Sequence, residues 1–138
     1  MTHAAITGWG KCLPPNVLTN ADLATFLDTN DEWITSRTGI SERRISHVSL
    51  EEMAYVSSMR ALAAAGLDPA DVELIVIGTC SFDDQVPNQA SGLQVRLGAK
   101  RAAAYDVNTA GTSFLYALST ANALIRTGAV KNAVVVGG

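Results

Sequence analysis

The run "VELIVIGTC", residues 72–80, limits the fold more than any other stretch of this 138-residue chain. Its apolar residues follow one another without polar alternation. Such a strand is wetted on neither face, so it belongs inside a parallel sheet with helices on both sides. The segments around it agree. "SLEEMAYVSSMRALAAAGLDP" reads as a helix that Ser49 caps, with Glu52 completing a capping box; Gly66 stops it and Pro69 lies just beyond. "NQASGLQVRLG" reads as a helix closed by Gly98, "AAAYDVNTA" as a strand, "TSFLYALSTANALIRTG" as a helix closed by Gly128, and "NAVVVGG" as another buried strand. Helix and strand alternate from residue 49 onward. That order predicts an α/β fold with a mostly parallel sheet packed by helices.

The first third of the chain carries weaker signals. "AAITGWGKCLP" reads as a short opening strand that runs into a Gly- and Pro-rich turn. "LTNADLATFLDT" reads as a short helix, with Thr19 as its cap and Asp22 three residues on. Residues 30–48 show neither helical nor strand period and hold Arg37, Arg43 and Arg44, so they read as one long connection; long connections are often functional. The closing strand must be central in its sheet or expose an apolar edge, which natural domains cover. Either more protein follows or another chain completes the sheet, and the expectation is an N-terminal piece: a single domain over residues 1–138, incomplete as it stands.

Composition narrows the function classes. The chain is 48% hydrophobic and 17% charged, with a formal net charge of -3, which argues against a nucleic-acid binder and its basic face. No apolar run reaches the roughly 18 residues of a membrane span, and no signal peptide is visible, so the expected place is the cytoplasm. Cys12 and Cys80 are far apart and in no metal-binding spacing, and read as reduced thiols, Cys80 as a core residue at a strand end. His3 and His47 read as surface residues.

The chain resembles the N-terminal half of β-ketoacyl-acyl carrier protein synthase III, a condensing enzyme of the thiolase superfamily. The resemblance rests on "TNADLATFLDTNDEWITSRTGISERRI", "GLDPADVELIVIGTCS" and "AYDVNTAGTSFLYALSTANALIRTGAVKNAVVVGG", in colinear order over essentially the whole chain. It implies a thiolase-like layered fold. It also implies acyl transfer from coenzyme A to a cysteine, then decarboxylative condensation with malonyl-acyl carrier protein, by a homodimer, with no cofactor or metal beyond the thioester substrate and no nucleic-acid or membrane partner. A helix N-terminus activates such a thiolate, covalent transfer divides the reaction into two steps, and backbone N–H groups at the turn can hold the oxyanion.

Against the family pattern D-V-A-A-A-C-A-G-F, residues 106–114 place Gly111 at the cysteine. Two readings of Gly111 follow: a cysteine lost or removed, or a glycine that a tight strand-to-helix turn requires. Thr109, Thr112 and Ser113 supply only hydroxyls, and Thr112 and Ser113 read as caps of the next helix. The family's catalytic histidine and asparagine have no counterpart in these residues; the resemblance implies that they belong to a C-terminal domain absent from this chain. Trp33 and Arg37 match the positions that grip coenzyme A, the indole for adenine and the guanidinium for phosphate; without a ligand, Arg37 would pair with Asp31 or Glu32. Arg43 and Arg44 resemble the family's "ER" element, read as structural or as a carrier-protein contact. Val86 matches the residue at the mouth of the partner subunit's acyl pocket, where a small side chain leaves room for longer or branched chains. The alternatives are acyl transfer to oxygen or nitrogen, and a non-catalytic subunit that binds acyl-thioesters.

Overall fold

Leu74–Gly78 is the middle strand of a three-stranded parallel sheet, and all five of its residues are buried. The computed structural model describes residues 3–82 and 84–138, which fall into two units. One is Leu13–Ser49; the other joins Leu50–Gly138 to residues 3–12. In chain order the elements are β1 (Asn16–Thr19), α1 (Asn20–Leu23), α2 (Asp31–Thr38), β2 (Glu42–Ile45), α3 (Leu50–Ala65), β3 (Leu74–Gly78), α4 (Gln89–Leu97), β4 (Ala103–Val107), α5 (Ser113–Arg126) and β5 (Val134–Gly137).

In the larger unit the order is β4-β3-β5, with Ile75 opposite both Ala104 and Val134. Side chains alternate across β3. Ile75 and Ile77 join Ala54, Leu62, Leu93 and Leu97 of α3 and α4, while Leu74 and Val76 meet Ala117 and Ala121 of α5. The unbroken apolar run is thus consumed on two faces, as expected. The buried face of α5 is small, Ser113, Ala117 and Ala121 at four-residue intervals, which lets the helix sit close to the sheet. At Gly78 the approach is closest: a β-carbon there would lie 2.5–2.7 Å from the backbone of Ser113 and Phe114. Gly66, Gly98 and Gly128 end their helices with left-handed φ of 66°, 70° and 78°, as their positions predicted.

β5 pairs only with β3 among the described residues and so lies at the sheet's edge. The expected opening strand does not form. Residues 3–12 have no partner strand among the described residues, and Gly8 and Gly10 lie against the backbone of α3 instead.

The unit Leu13–Ser49 corrects the reading of residues 30–48 as a plain connection. They hold α2, capped by Asn30 on the Trp33 N–H at 2.8 Å and closed by Gly39, and β2, antiparallel to β1. α2 buries only Ile34, so its helix comes from its caps and leaves no apolar period to read. Thr19 and Asp22 form the expected capping box, although α1 spans only four residues. The interior of this unit is polar. Buried Asn20 donates through Nδ2 to Asp31 at 2.7 Å and the Ile40 carbonyl at 2.8 Å, and its Oδ1 accepts from Arg43 at 2.9 Å.

Candidate functional site

The ends of β3 and β4 lie side by side, with Gly78 opposite Val107 and the Thr79 N–H bonded to the Val107 carbonyl at 3.1 Å. The loop after β3 and the turn after β4 therefore leave the same carboxyl edge of the sheet, where open α/β sheets place their ligands. Asp106 ties the two together. Its carboxylate accepts the N–H groups of Gln89 and Ala90 at the start of α4, both at 2.9 Å. The sequence reading missed this; an acid inside an otherwise apolar strand was the signal.

Residues 108–112 carry the chain from β4 into α5. The Asn108 side chain accepts the Ala110 N–H at 3.2 Å, and the Thr112 hydroxyl donates to the Thr109 carbonyl at 2.8 Å. Ser113 Oγ accepts the Thr109 N–H at 2.9 Å and donates to the Ala110 carbonyl at 2.7 Å. The expected caps are thus something else: Thr112 makes no side-chain capping bond, and both hydroxyls serve the turn.

The turn also corrects one reading of Gly111. The left-handed residue is Ala110, at φ 52°, while Gly111 has no left-handed φ and a β-carbon on it would meet nothing within 4 Å. Backbone geometry does not require glycine there. An L-residue fits, with its side chain in open space at the mouth of α5.

Val86 stands on the loop between β3 and α4, before Pro87 in a cis peptide, and is 89% exposed. Cys80, expected in the core, is exposed on the same loop, because β3 ends two residues earlier. The carboxyl edge thus brings Gly111 and Val86 to one side of the larger unit.

Trp33 and Arg37 stand together on α2, one turn apart. The guanidinium lies over the indole at 5.5 Å, and Trp33 is 55% exposed. The ion pair expected for Arg37 is not made among the described residues: Asp31 is engaged by Asn20 and Thr35. Arg43 turns inward to Asn20 and the Leu18 carbonyl, a structural role, whereas Arg44 faces Glu42 at 3.5 Å and the Pro14 carbonyl. His3 and His47 are exposed. No group of three or more His, Cys, Asp or Glu among the described residues could hold a metal.

Comparison with known proteins bears on this geometry. The 3-oxoacyl-[acyl-carrier-protein] synthase III family matches residues 105–138, the span that holds the end of β4, the turn, α5 and β5. A β-ketoacyl-[acyl-carrier-protein] synthase III of Vibrio vulnificus is 53% identical over 135 residues, 98% of this chain and 37% of that protein. The chain belongs to the β-ketoacyl-acyl carrier protein synthase III family. The crystal structure of 3-oxoacyl-[acyl-carrier-protein] synthase III from Aquifex aeolicus superposes on it with a TM-score of 0.90 at 43% identity, over 96% of this chain and 43% of that one. The priming β-ketosynthase of the R1128 polyketide biosynthetic pathway superposes with a TM-score of 0.84 at 33% identity, over 91% of this chain and 38% of that one. The fold is thiolase-like. The chain spans about two fifths of the length of these relatives.

Proposed function

We propose that this chain is part of an enzyme of the acyltransferase type, in which an acyl group from coenzyme A passes to the residue at position 111, a cysteine in the family pattern and a glycine here. The acyl group is then condensed with malonyl-acyl carrier protein, in fatty-acid initiation or related secondary-metabolite synthesis. Trp33 and Arg37 hold coenzyme A, by stacking and by charge on phosphate. Val86 shapes an acyl pocket across a homodimer, and its small size admits longer or branched chains. The protein works in the cytoplasm without a metal or other cofactor.

The observation that carries the reading is the turn itself. Position 111 keeps open space and an unstrained backbone at the mouth of a helix, where the helix dipole would stabilise a thiolate. With a cysteine there, the thiolate attacks the thioester carbonyl and the carbon–sulfur bond to coenzyme A breaks, releasing its thiol. Decarboxylation of the malonyl group then yields a carbanion that attacks the new thioester, and the cysteine leaves as thiolate. Glycine offers no such group. The chain as it stands binds the thioester without accepting the acyl group, and this favours a second reading: a non-catalytic subunit that binds acyl-thioesters.

Gly111→Cys separates the two. Incubated with acetyl-coenzyme A and longer acyl-coenzyme A thioesters, the variant is expected to gain the mass of one acyl group on peptide 102–126, with release of free coenzyme A, while the parent gains nothing. A folded variant that stays unacylated with every thioester would leave only the binding subunit standing.

A further inference from the structure

Ser113 does more in this turn than open a helix. Its side chain is 3% exposed, and its one hydroxyl bridges the turn, accepting from Thr109 N–H at 2.9 Å and donating to the Ala110 carbonyl at 2.7 Å. Those bonds flank the only non-glycine residue with positive φ among the described residues, Ala110 at 52°. A left-handed alanine is unfavourable and persists where its surroundings hold it. The backbone of Ser113 is itself immobilised by Gly78, whose α-carbon approaches so closely that no side chain fits between β3 and the first turn of α5. A mechanical chain therefore runs from the central strand through Ser113 to Thr109 and Ala110, and ends at the next residue, Gly111. The family pattern has glycine at position 113, which has no hydroxyl to make this bridge.

We infer that Ser113 is a positioning residue: its buried hydroxyl locks Ala110 in the left-handed conformation and so fixes the direction in which any side chain at position 111 leaves the mouth of α5. This rests on reading position 111 as the acyl-acceptor position, but its test does not need acyl transfer. In Gly111→Cys, the rate of alkylation by iodoacetamide is followed against pH, and the three cysteines are separated by trypsin: Cys12 on peptide 12–37, Cys80 on 61–96 and the new thiol on 102–126. The same profile is taken with Ser113→Ala and with Ser113→Gly added, alongside thermal midpoints.

Releasing the turn lets the thiol drift from the positive end of the α5 dipole. The apparent midpoint at position 111 is then expected to rise by about one pH unit in both double variants, while Cys12 and Cys80 keep theirs. The rate at pH 7 falls only about three- to fourfold, because the more basic thiolate is a better nucleophile. Superposable profiles in folded variants would overturn the inference. Should neither double variant fold, amide exchange in the parent decides: Thr109 N–H must exchange much more slowly than Gly111 N–H, and equal rates would mean that the hydroxyl does not hold the turn. If the profile shifts while acyl-coenzyme A leaves the cysteine untouched, Ser113 positions the residue and the acyl-acceptor reading is what fails.

Discussion

Two glycines at the carboxyl edge have opposite reasons for being glycine. Gly78 is fixed by contact, since a β-carbon would collide with the Ser113 and Phe114 backbone at 2.5–2.7 Å. Gly111 is fixed by nothing in the fold, neither φ nor space. Gly78→Ala is therefore expected to destabilise the protein by about 1–3 kcal/mol or more, because backbone must give way. Gly111→Ala should be neutral or stabilising by about 0.4–1 kcal/mol, through the lower entropy of the unfolded chain. Urea midpoints of the two variants check both signs. A loss of more than ~1 kcal/mol in Gly111→Ala would restore the turn as the reason for the glycine, and would weaken the reading of position 111 as a vacated cysteine.

α3 and α4 are joined at their solvent edge by one arginine. Arg96 reaches Glu52 at 2.6 Å and Glu51 at 4.0 Å, and its guanidinium covers the Tyr55 ring at 4.5 Å. The hydrogen bond from Arg96, and then its charge, holds the Glu52 carboxyl below the usual carboxylate range. A carboxylate with a depressed folded value contributes stability above its ordinary value of about 4.3 and loses it as pH falls through the folded value. Glu52→Gln is thus expected to lower the thermal midpoint at neutral pH, and the gap to the parent should close in acid and narrow in high salt. A gap independent of pH would mean that packing, rather than charge, joins the helices here. These two helices were legible in the sequence, as were α5 and the strands β3, β4 and β5, because largely apolar runs marked the strands and a closing glycine marked each helix. α2 was not, since only Ile34 turns inward; its ends, Asn30 and Gly39, carried the signal that periodicity lacked. The strand-to-helix turn was legible as a candidate site, but its internal geometry was not. Glycine is the default for a left-handed residue, so a tight turn stood as one of two readings of Gly111, whereas hydrogen bonds with Ser113 and Asn108 give the left-handed place to Ala110.

The two units differ in what holds them. The larger buries both faces of β3 under α3, α4 and α5, whereas among the described residues of Leu13–Ser49 only Ile34 and Asn20 are buried. A unit with one buried apolar side chain and a two-stranded sheet depends on its hydrogen bonds, and it opens at lower free energy than a packed core. Amide exchange should therefore be slowest in Leu74–Gly78 and much faster in Asn16–Thr19 and Glu42–Ile45. Asn20→Ala, which leaves Asp31, the Ile40 carbonyl and Arg43 without their shared partner, should speed exchange throughout Leu13–Ser49 and leave β3 unchanged. The same experiment bears on function. A ligand that binds only the closed form suppresses opening in proportion to its occupancy, so a molecule gripped by Trp33 and Arg37 must slow exchange in α2. Added coenzyme A is expected to do so, and Trp33→Ala to abolish the effect while the unliganded exchange rates stay as they were. Coenzyme A that leaves α2 exchanging at its free rate at millimolar concentration would remove these two residues from the binding site. The stacked pair at 5.5 Å would then be an ordinary cation–aromatic contact on an exposed helix.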